Sequence, residues 1–242
     1  MARAQDAGGG GLGGGRRVTR VLVLTALDLE ARTLARHLGL PQVPGHPWPH
    51  FRSDVLEVAS VGLRAADIDA RVAECRTPTL MIAAGACGAL SPELREGALV
   101  VPETVTVPGS PALVTDDVPA LRRAGSLVTV NSVVETATAK ARLWRETGAL
   151  AVDMESAPIV AWARQRRWLI AVLRGVSDTA ARGVPADLAG VVDAGGHLSA
   201  RRAVRVMLAR PRAVSDAFVL CRGTATALRN VAAALAQVAR AA

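Results

Sequence analysis

At 242 residues, half of them hydrophobic, the chain is long enough to bury a sizeable core and fits one large catalytic domain. No apolar run reaches the roughly 18 residues that a membrane-spanning helix needs. The amino terminus lacks the succession of positive, apolar and small residues of a signal peptide, so the expected compartment is the cytoplasm.

The formal net charge of +8 is unevenly placed: residues 197–242 hold eight Arg and one Asp, a local +7 that leaves +1 for the rest. A basic tail raises the question of nucleic acid, but Lys140 is the chain's only lysine and Phe218 the tail's only aromatic, so platforms for base stacking are missing. Nucleic acid is therefore not expected as a partner. A solvated helical face or contact with an anionic membrane surface explains the bias better. Cys75, Cys87 and Cys221 stand in apolar or alanine-rich surroundings without metal-ligand spacing, which predicts buried free thiols and no metal.

Residues 1–17, centred on a Gly-rich run from Gly8 to Gly15, read as a disordered leader. No strand precedes that run and no Gly-Lys-Ser/Thr closes it, so it is not a phosphate loop. From Val18 onward, apolar runs at 20–26, 55–61, 79–84, 98–107, 126–134, 149–152 and 168–173 have the Val, Leu and Ile content of buried strands. Helical patterns lie between several of them: Leu27, Ala31, Leu34 and Leu38 recur at helix spacing, and 137–146 and 156–167 read likewise. Pro158 is tolerated only in the first turn of its helix. This alternation predicts an α/β sandwich around a mainly parallel sheet.

After Asp178 the texture changes. Gly183, Pro185 and Gly195-Gly196 break the chain, 201–210 reads as a helix ended by Pro211, and a last helix follows. Its stripe of Val214, Phe218, Cys221, Ala225, Leu228, Ala232, Leu235 and Ala239 leaves Arg222, Arg229 and Arg240 outside, the pattern of an amphipathic helix docked on the sheet or on a second subunit. The expected organisation is a leader at 1–17, a catalytic domain at 18–196 and a basic helical tail at 197–242.

Two strand-like runs end in acidic residues, Val152-Asp153-Met154-Glu155 and Arg174-Gly-Val-Ser177-Asp178, which suits the carboxyl edge of an open α/β sheet, where ligands bind. Cleaving an N-glycosidic bond asks for an acid to protonate the leaving base, a group that directs water to the sugar carbon, and acceptors for the ribose hydroxyls. Asp178, after a buried strand, suits the acid because desolvation favours its protonated form; as a purely structural residue it would cap a turn. Glu155 suits a bidentate acceptor for the ribose hydroxyls, over a soft floor from Met154; both residues equally suit a helix start and ordinary packing. Glu30, at the margin of the first helix's apolar stripe, suits the activation of water, with Asp28 the better simple cap. The segment Gly85-Ala86-Cys87-Gly88 after a strand reads as a small-residue turn whose amides approach a ligand. His37, His46, His50 and His197 lack ligand spacing and read as surface or loop residues.

In order, Glu30, the Gly85 to Leu90 turn, Val152-Asp-Met-Glu155 and Arg174-Gly-Val-Ser-Asp178 resemble the purine nucleoside and uridine phosphorylase superfamily, specifically its nucleosidase branch, across residues 18–180. The resemblance implies a purine/uridine phosphorylase-like sandwich with a mixed central sheet or distorted barrel flanked by helices. It implies no cofactor, a small-molecule nucleoside substrate and a homodimer. By it, Glu30 activates water, Met154 and Glu155 contact ribose, Asp178 acts at the purine N7 with Ser177 positioning it, and Arg174 steadies the acidic cluster. Asp153 stands where nucleosidases commonly carry Glu, as in futalosine hydrolase and the hopanoid-associated nucleosidases. Val134 stands where an adenine-stacking aromatic is expected, and no phosphate-binding glycine segment follows the first strand, which favours water as nucleophile.

The Arg-rich tail is similar to those of hopanoid-biosynthesis nucleosidases, which implies hydrolysis of adenosylhopane to ribosylhopane and adenine, with peripheral contact at the inner membrane surface. Alternatives are a phosphorolytic enzyme, a methylthioadenosine- or futalosine-type nucleosidase, and a non-catalytic nucleoside-binding module.

Overall fold

The computed structural model describes residues 20–118, 120–183 and 211–241, with 211–219 described by backbone alone. Along the chain run β1 (Val21–Thr25), α1 (Asp28–Leu38), β2 (His50–Arg52), β3 (Leu56–Ser60), a 3-10 turn (Leu63–Ala65), α2 (Ile68–Ala73), β4 (Leu80–Ala89), β5 (Leu99–Val100), β6 (Thr104–Thr106) and β7 (Leu113–Val114). Then follow β8 (Ser126–Thr129), α3 (Ala137–Thr147), β9 (Ala151–Asp153), α4 (Ser156–Gln165), β10 (Ile170–Asp178) and α5 (Pro211–Ala241).

The strands form one ten-stranded mixed sheet in the order β2-β3-β1-β4-β9-β8-β6-β7, with β10 paired to β4 and β5. The sheet is mainly parallel, as the alternation of strands and helices suggests, with short antiparallel additions. The long ladders β1 with β3, β1 with β4 and β10 with β4 are parallel, while short antiparallel pairings bring in β2, β5, β7 and the end of β9. Period-2 alternation sorts the core into two layers. Leu22 and Leu24 face a cluster with Ile68 and Val72 of α2 and Ile159 and Val160 of α4. Val21 and Val23 face one with Leu34 of α1 and Leu228, Val231 and Leu235 of α5. The fold is thus a mixed sheet flanked by helices on both faces.

Several sequence expectations change. The Gly85-Ala86-Cys87-Gly88 segment is strand, not turn: β4 runs on to Ala89 because β10 pairs with it in parallel as far as Asp178 opposite Gly88. The run at 98–107 splits into β5 and β6 around Pro102, which has no N–H to give a ladder. The run at 126–134 stops as strand at Thr129. The short β2 and α2 carry too few residues to show a period. Asp28 is the first helical residue of α1, its carboxylate accepting a hydrogen bond from Ser60 Oγ at 2.6 Å, while Leu27 holds the cap position. His50 is fully buried on β2, its Nε2 2.6 Å from Glu57 Oε1.

The face of α5 is also rotated from the expected stripe. Ala227, Leu228, Val231, Ala232, Ala234, Leu235 and Val238 are buried, whereas Cys221 and Ala225 are exposed, so Cys221 is a surface thiol and Cys75 only half-buried. The leader at 1–17 and the expected helix at 201–210, with Pro185, Gly195-Gly196 and His197, lie outside the described residues. No described helix is long and apolar enough to cross a membrane.

Helix α5 presses on the back of β10. A Cβ on Gly223 would lie 2.0 Å from the Ser177 carbonyl oxygen, and one on Gly175 2.7 Å from that of Ala227. Gly223→Ala is therefore expected to cost about 1–3 kcal/mol through overpacking. Thermal melting should show the midpoint lowered by several degrees; an unchanged midpoint would mean that α5 does not seat against β10.

Candidate active site

The ends of β1, β4, β9 and β10 meet around one cavity of about 540 Å³. Glu30 enters it from the first turn of α1, Glu155 from the junction of β9 and α4, and Asp178 from the last position of β10. Ala86, Cys87, Gly88, Val134, Asp153, Met154 and Ser177 share the wall with them. Gly85 and Arg174 are not in the wall and stand behind it.

Arg174 organises that back layer. Its guanidinium, 1% exposed, lies 2.8 Å from Asp153 Oδ2 and donates from Nε and Nη2 to Ser156 Oγ at 3.1 and 3.0 Å. Asp153 is fully engaged: Oδ1 accepts from Thr129 Oγ1 at 2.7 Å, and Oδ2 accepts from the backbone N–H and hydroxyl of Ser156 at 3.1 and 2.5 Å. It caps α4, ties β8 to β9 and balances Arg174, which leaves little of it for a ligand although it borders the cavity.

Glu30 bonds to the backbone on both sides. Oε1 accepts from the Ala86 N–H at 2.8 Å and Oε2 from the Leu27 N–H at 3.1 Å. Burial raises its pKa above the usual carboxylate value, against the lowering influence of Arg174 and of these N–H donors. The close approach depends on Gly85, whose φ of 155° suits glycine; a Cβ there would lie 2.6 Å from both Arg174 Nη1 and Glu30 Oε1. Glu155 is pushed up to about 8, first by burial and next by the Asp153 charge, with Arg174 opposing. It holds a proton near neutral pH. The Cys87 thiol is pushed up by burial as well, so it remains a thiol in the wall.

Asp178 is partnered differently from the expectation of a desolvated lone acid. Ser177 Oγ donates to Oδ1 at 2.6 Å, and the Lys140 ammonium pairs with Oδ2. Lys140, on α3 and 1% exposed, is the site residue that sequence reasoning missed. Its signal was present: a single lysine among 28 arginines, on the helix between two strands that feed the site. The rest of the wall, Ala26, Leu27, Leu63, Arg64, residues 130–135 and Val152, is mostly apolar and, among the described residues, carries no aromatic ring. Among the described residues, His50, Glu57 and Cys75 cluster with metal-like spacing, but Arg52 and Arg76 also bond to Glu57. Despite burial, hydrogen bonds from His50 and Arg52 lower Glu57 to about 2, and burial raises the Cys75 thiol to about 12, so the cluster is an ion-pair network without a thiolate to offer.

The raised Glu155 fixes the sign of a stability measurement. Between about 4.5 and about 8 the folded protein holds a proton on Glu155 that the unfolded chain has lost, so its contribution falls as pH rises through that window. Glu155→Gln removes this dependence. The variant should melt close to the wild type at pH 5 and progressively above it by pH 9, with each kcal/mol worth about 2–4 °C. A gap that is constant or closes with pH would show that Glu155 is ionised in the folded protein.

Residues 109–209 match the Phosphorylase superfamily. No curated protein matches the sequence. Among solved structures, the fold is similar to 5′-methylthioadenosine/S-adenosylhomocysteine nucleosidase from Neisseria meningitidis in complex with methylthio-immucillin-A, at TM-score 0.66 and 16% identity, over 93% of this chain and 100% of that one. It is similar to native futalosine hydrolase of Helicobacter pylori at TM-score 0.65 and 14% identity, over 93% and 99% of the two chains. Arabidopsis thaliana 5′-methylthioadenosine nucleosidase in apo form gives TM-score 0.59 and 20% identity, over 79% and 96%. The fold of this chain is thus the purine/uridine phosphorylase-like arrangement of these nucleosidase structures, a mixed central sheet flanked by helices.

Proposed function

We propose that the protein hydrolyses the N-glycosidic bond of a 5′-modified adenine nucleoside, with adenosylhopane as the substrate and ribosylhopane and adenine as products. The observation that carries this reading is the convergence of Glu30, Glu155 and Asp178, from the start of α1 and the ends of β9 and β10, on one cavity of nucleoside size. In the reaction the purine leaves as N7 receives a proton at the Asp178 end, and the sugar becomes cation-like. Water, directed by Glu30, adds to the anomeric carbon. Glu155 and Met154 hold the ribose between them.

Water rather than phosphate as nucleophile is supported by charge. The wall carries Glu30, Glu135, Asp153, Glu155 and Asp178 against Arg64 and Lys140, and Lys140 already pairs with Asp178, as Arg174 behind the wall does with Asp153. Even with Glu155 protonated, a phosphate dianion would meet cations already paired with Asp178 and Asp153, and among the described residues of the wall only Arg64 would be left to balance it. The apolar Leu27, Leu63, Val130 and Val133 suit a substrate with an uncharged, greasy 5′ group. The structures similar in fold include one with methylthio-immucillin-A bound and one, from Chlamydia trachomatis, with adenine bound.

Purified protein incubated with adenosylhopane and, separately, with methylthioadenosine is expected to release adenine without phosphate, read by mass spectrometry of the products. Asp178→Asn is expected to slow release by roughly 100–10,000-fold. Release that requires phosphate would make the protein a phosphorylase, and tight nucleoside binding without any release would make it a binding module.

A further inference from the structure

Lys140 has no part in the reading above, yet it is nine-tenths buried and stands in the cavity wall beside the acid. An ammonium has three N–H donors. One engages Asp178 Oδ2, a second donates to the Thr179 carbonyl at 3.0 Å, and the third has no partner among the described residues, which leaves it for an occupant of the cavity. Gly88 keeps this corner open: a Cβ there would stand 3.0 Å from Asp178 Oδ2 and 3.5 Å from Lys140 Nζ. Seen from the cavity, the pair offers a donor next to an acceptor.

That arrangement selects among bases. The N7 edge of adenine presents an acceptor, N7, beside a donor, the 6-amino group, whereas a 6-oxopurine presents two acceptors. We propose that Lys140 is the source of the proton passed to N7 of the leaving base, and that the Lys140–Asp178 pair selects a 6-aminopurine over a 6-oxopurine. The inference rests on the hydrolase reading. As the bond from the anomeric carbon to N9 breaks, its electron pair moves into the purine, and the proton shared by the pair, stored on Lys140, bonds to N7. A neutral amine remains beside the Asp178 carboxylate. Water adds to the ribosyl cation and its proton passes to Glu30; exchange with solvent then takes that proton from Glu30 and returns one to Lys140, which resets the site.

The test compares two leaving groups. Methylthioadenosine needs a proton on its base to leave, whereas 4-nitrophenyl riboside releases a stable phenolate that needs none. Lys140→Met is expected to lose at least about 100-fold in kcat on methylthioadenosine and to keep its rate on the nitrophenyl riboside. Lys140→Arg, which keeps the charge but does not give up a proton, is expected to behave like the Met variant on methylthioadenosine. Wild-type protein should also favour methylthioadenosine over methylthioinosine, with the preference reduced in Lys140→Met.

Equal losses on both leaving groups would assign Lys140 to holding the pocket together, and no loss on either would leave it outside the chemistry. Full activity of Lys140→Arg would show that charge alone matters. Each of these results overturns the inference while the hydrolase reading stands. A wild type that releases adenine from neither adenosylhopane nor methylthioadenosine, and no nitrophenol, overturns that reading and the inference with it.

Discussion

A guanidinium sealed inside the protein is the constraint on which the candidate site depends. A charge as buried as that of Arg174 is tolerated only with partners in good geometry, and here the partners come from β9 and α4. Asp153 serves three structural ends at once, as counter-ion, helix cap and link to Thr129 on β8. The same cation acts on Glu30 and Glu155, which lowers the cost of crowding carboxyl groups that would otherwise repel one another. The acids stay close because Arg174 makes their company tolerable, and Gly85 gives the backbone clearance for it.

The carboxyl groups are nonetheless not equivalent. Glu30 and Glu155 share the influence of Arg174, and burial raises both. Asp178 has a cation of its own in Lys140 and a hydroxyl in Ser177, both supplied from the opposite corner of the cavity. Pairs of acidic groups whose surroundings differ in this way can separate the tasks of one pocket, and in the proposed reaction one end would handle the water and sugar and the other the departing base. In the proposed reaction the apolar wall between them, free of aromatic rings among the described residues, would hold the base by shape and leave its identity to the polar corner at Lys140 and Asp178.

Much of this was legible in the sequence, for physical reasons. β1 and the core of β10 are dominated by Val, Leu and Ile because helices cover both faces of the sheet there, and α1, α3 and α4 keep a helical period because each has one solvent face. The acidic ends of β9 and β10 stand out because carboxylates rarely follow apolar runs without a task. What remained hidden depends on contact across the chain. The glycines at 85 and 88 look like turn formers, and only the pairing of β10 makes them strand residues under two carboxylates. Lys140 shares the inner face of α3 with half-buried Ala137, Leu143 and Thr147, but a lysine at such a position reads as solvent-facing, and only its partner Asp178, far along the chain, shows otherwise. His50 is likewise hidden in a three-residue strand too short to show alternation.

The last helix bears on where the protein works. A basic amphipathic helix can bind a membrane surface by burying its apolar face among acyl chains while its cations meet the headgroups. In α5 that face is already occupied: Leu228, Val231, Leu235 and Val238 lie in the core against β10 and α1, and Gly223 holds the helix within contact of the Ser177 carbonyl. Arg222, Arg229 and Arg240 face solvent. Any attraction of this helix to an anionic surface is therefore through charge alone, a contact of about 1 kcal/mol per Arg that fades beyond a Debye length. Such a contact can hold the site near a membrane without lifting α5 off the sheet. A greasy 5′ group would then have to leave the bilayer to reach the cavity, which makes the apolar Leu27, Leu63 and Val133 of the wall, rather than the helix, the feature on which binding such a substrate depends.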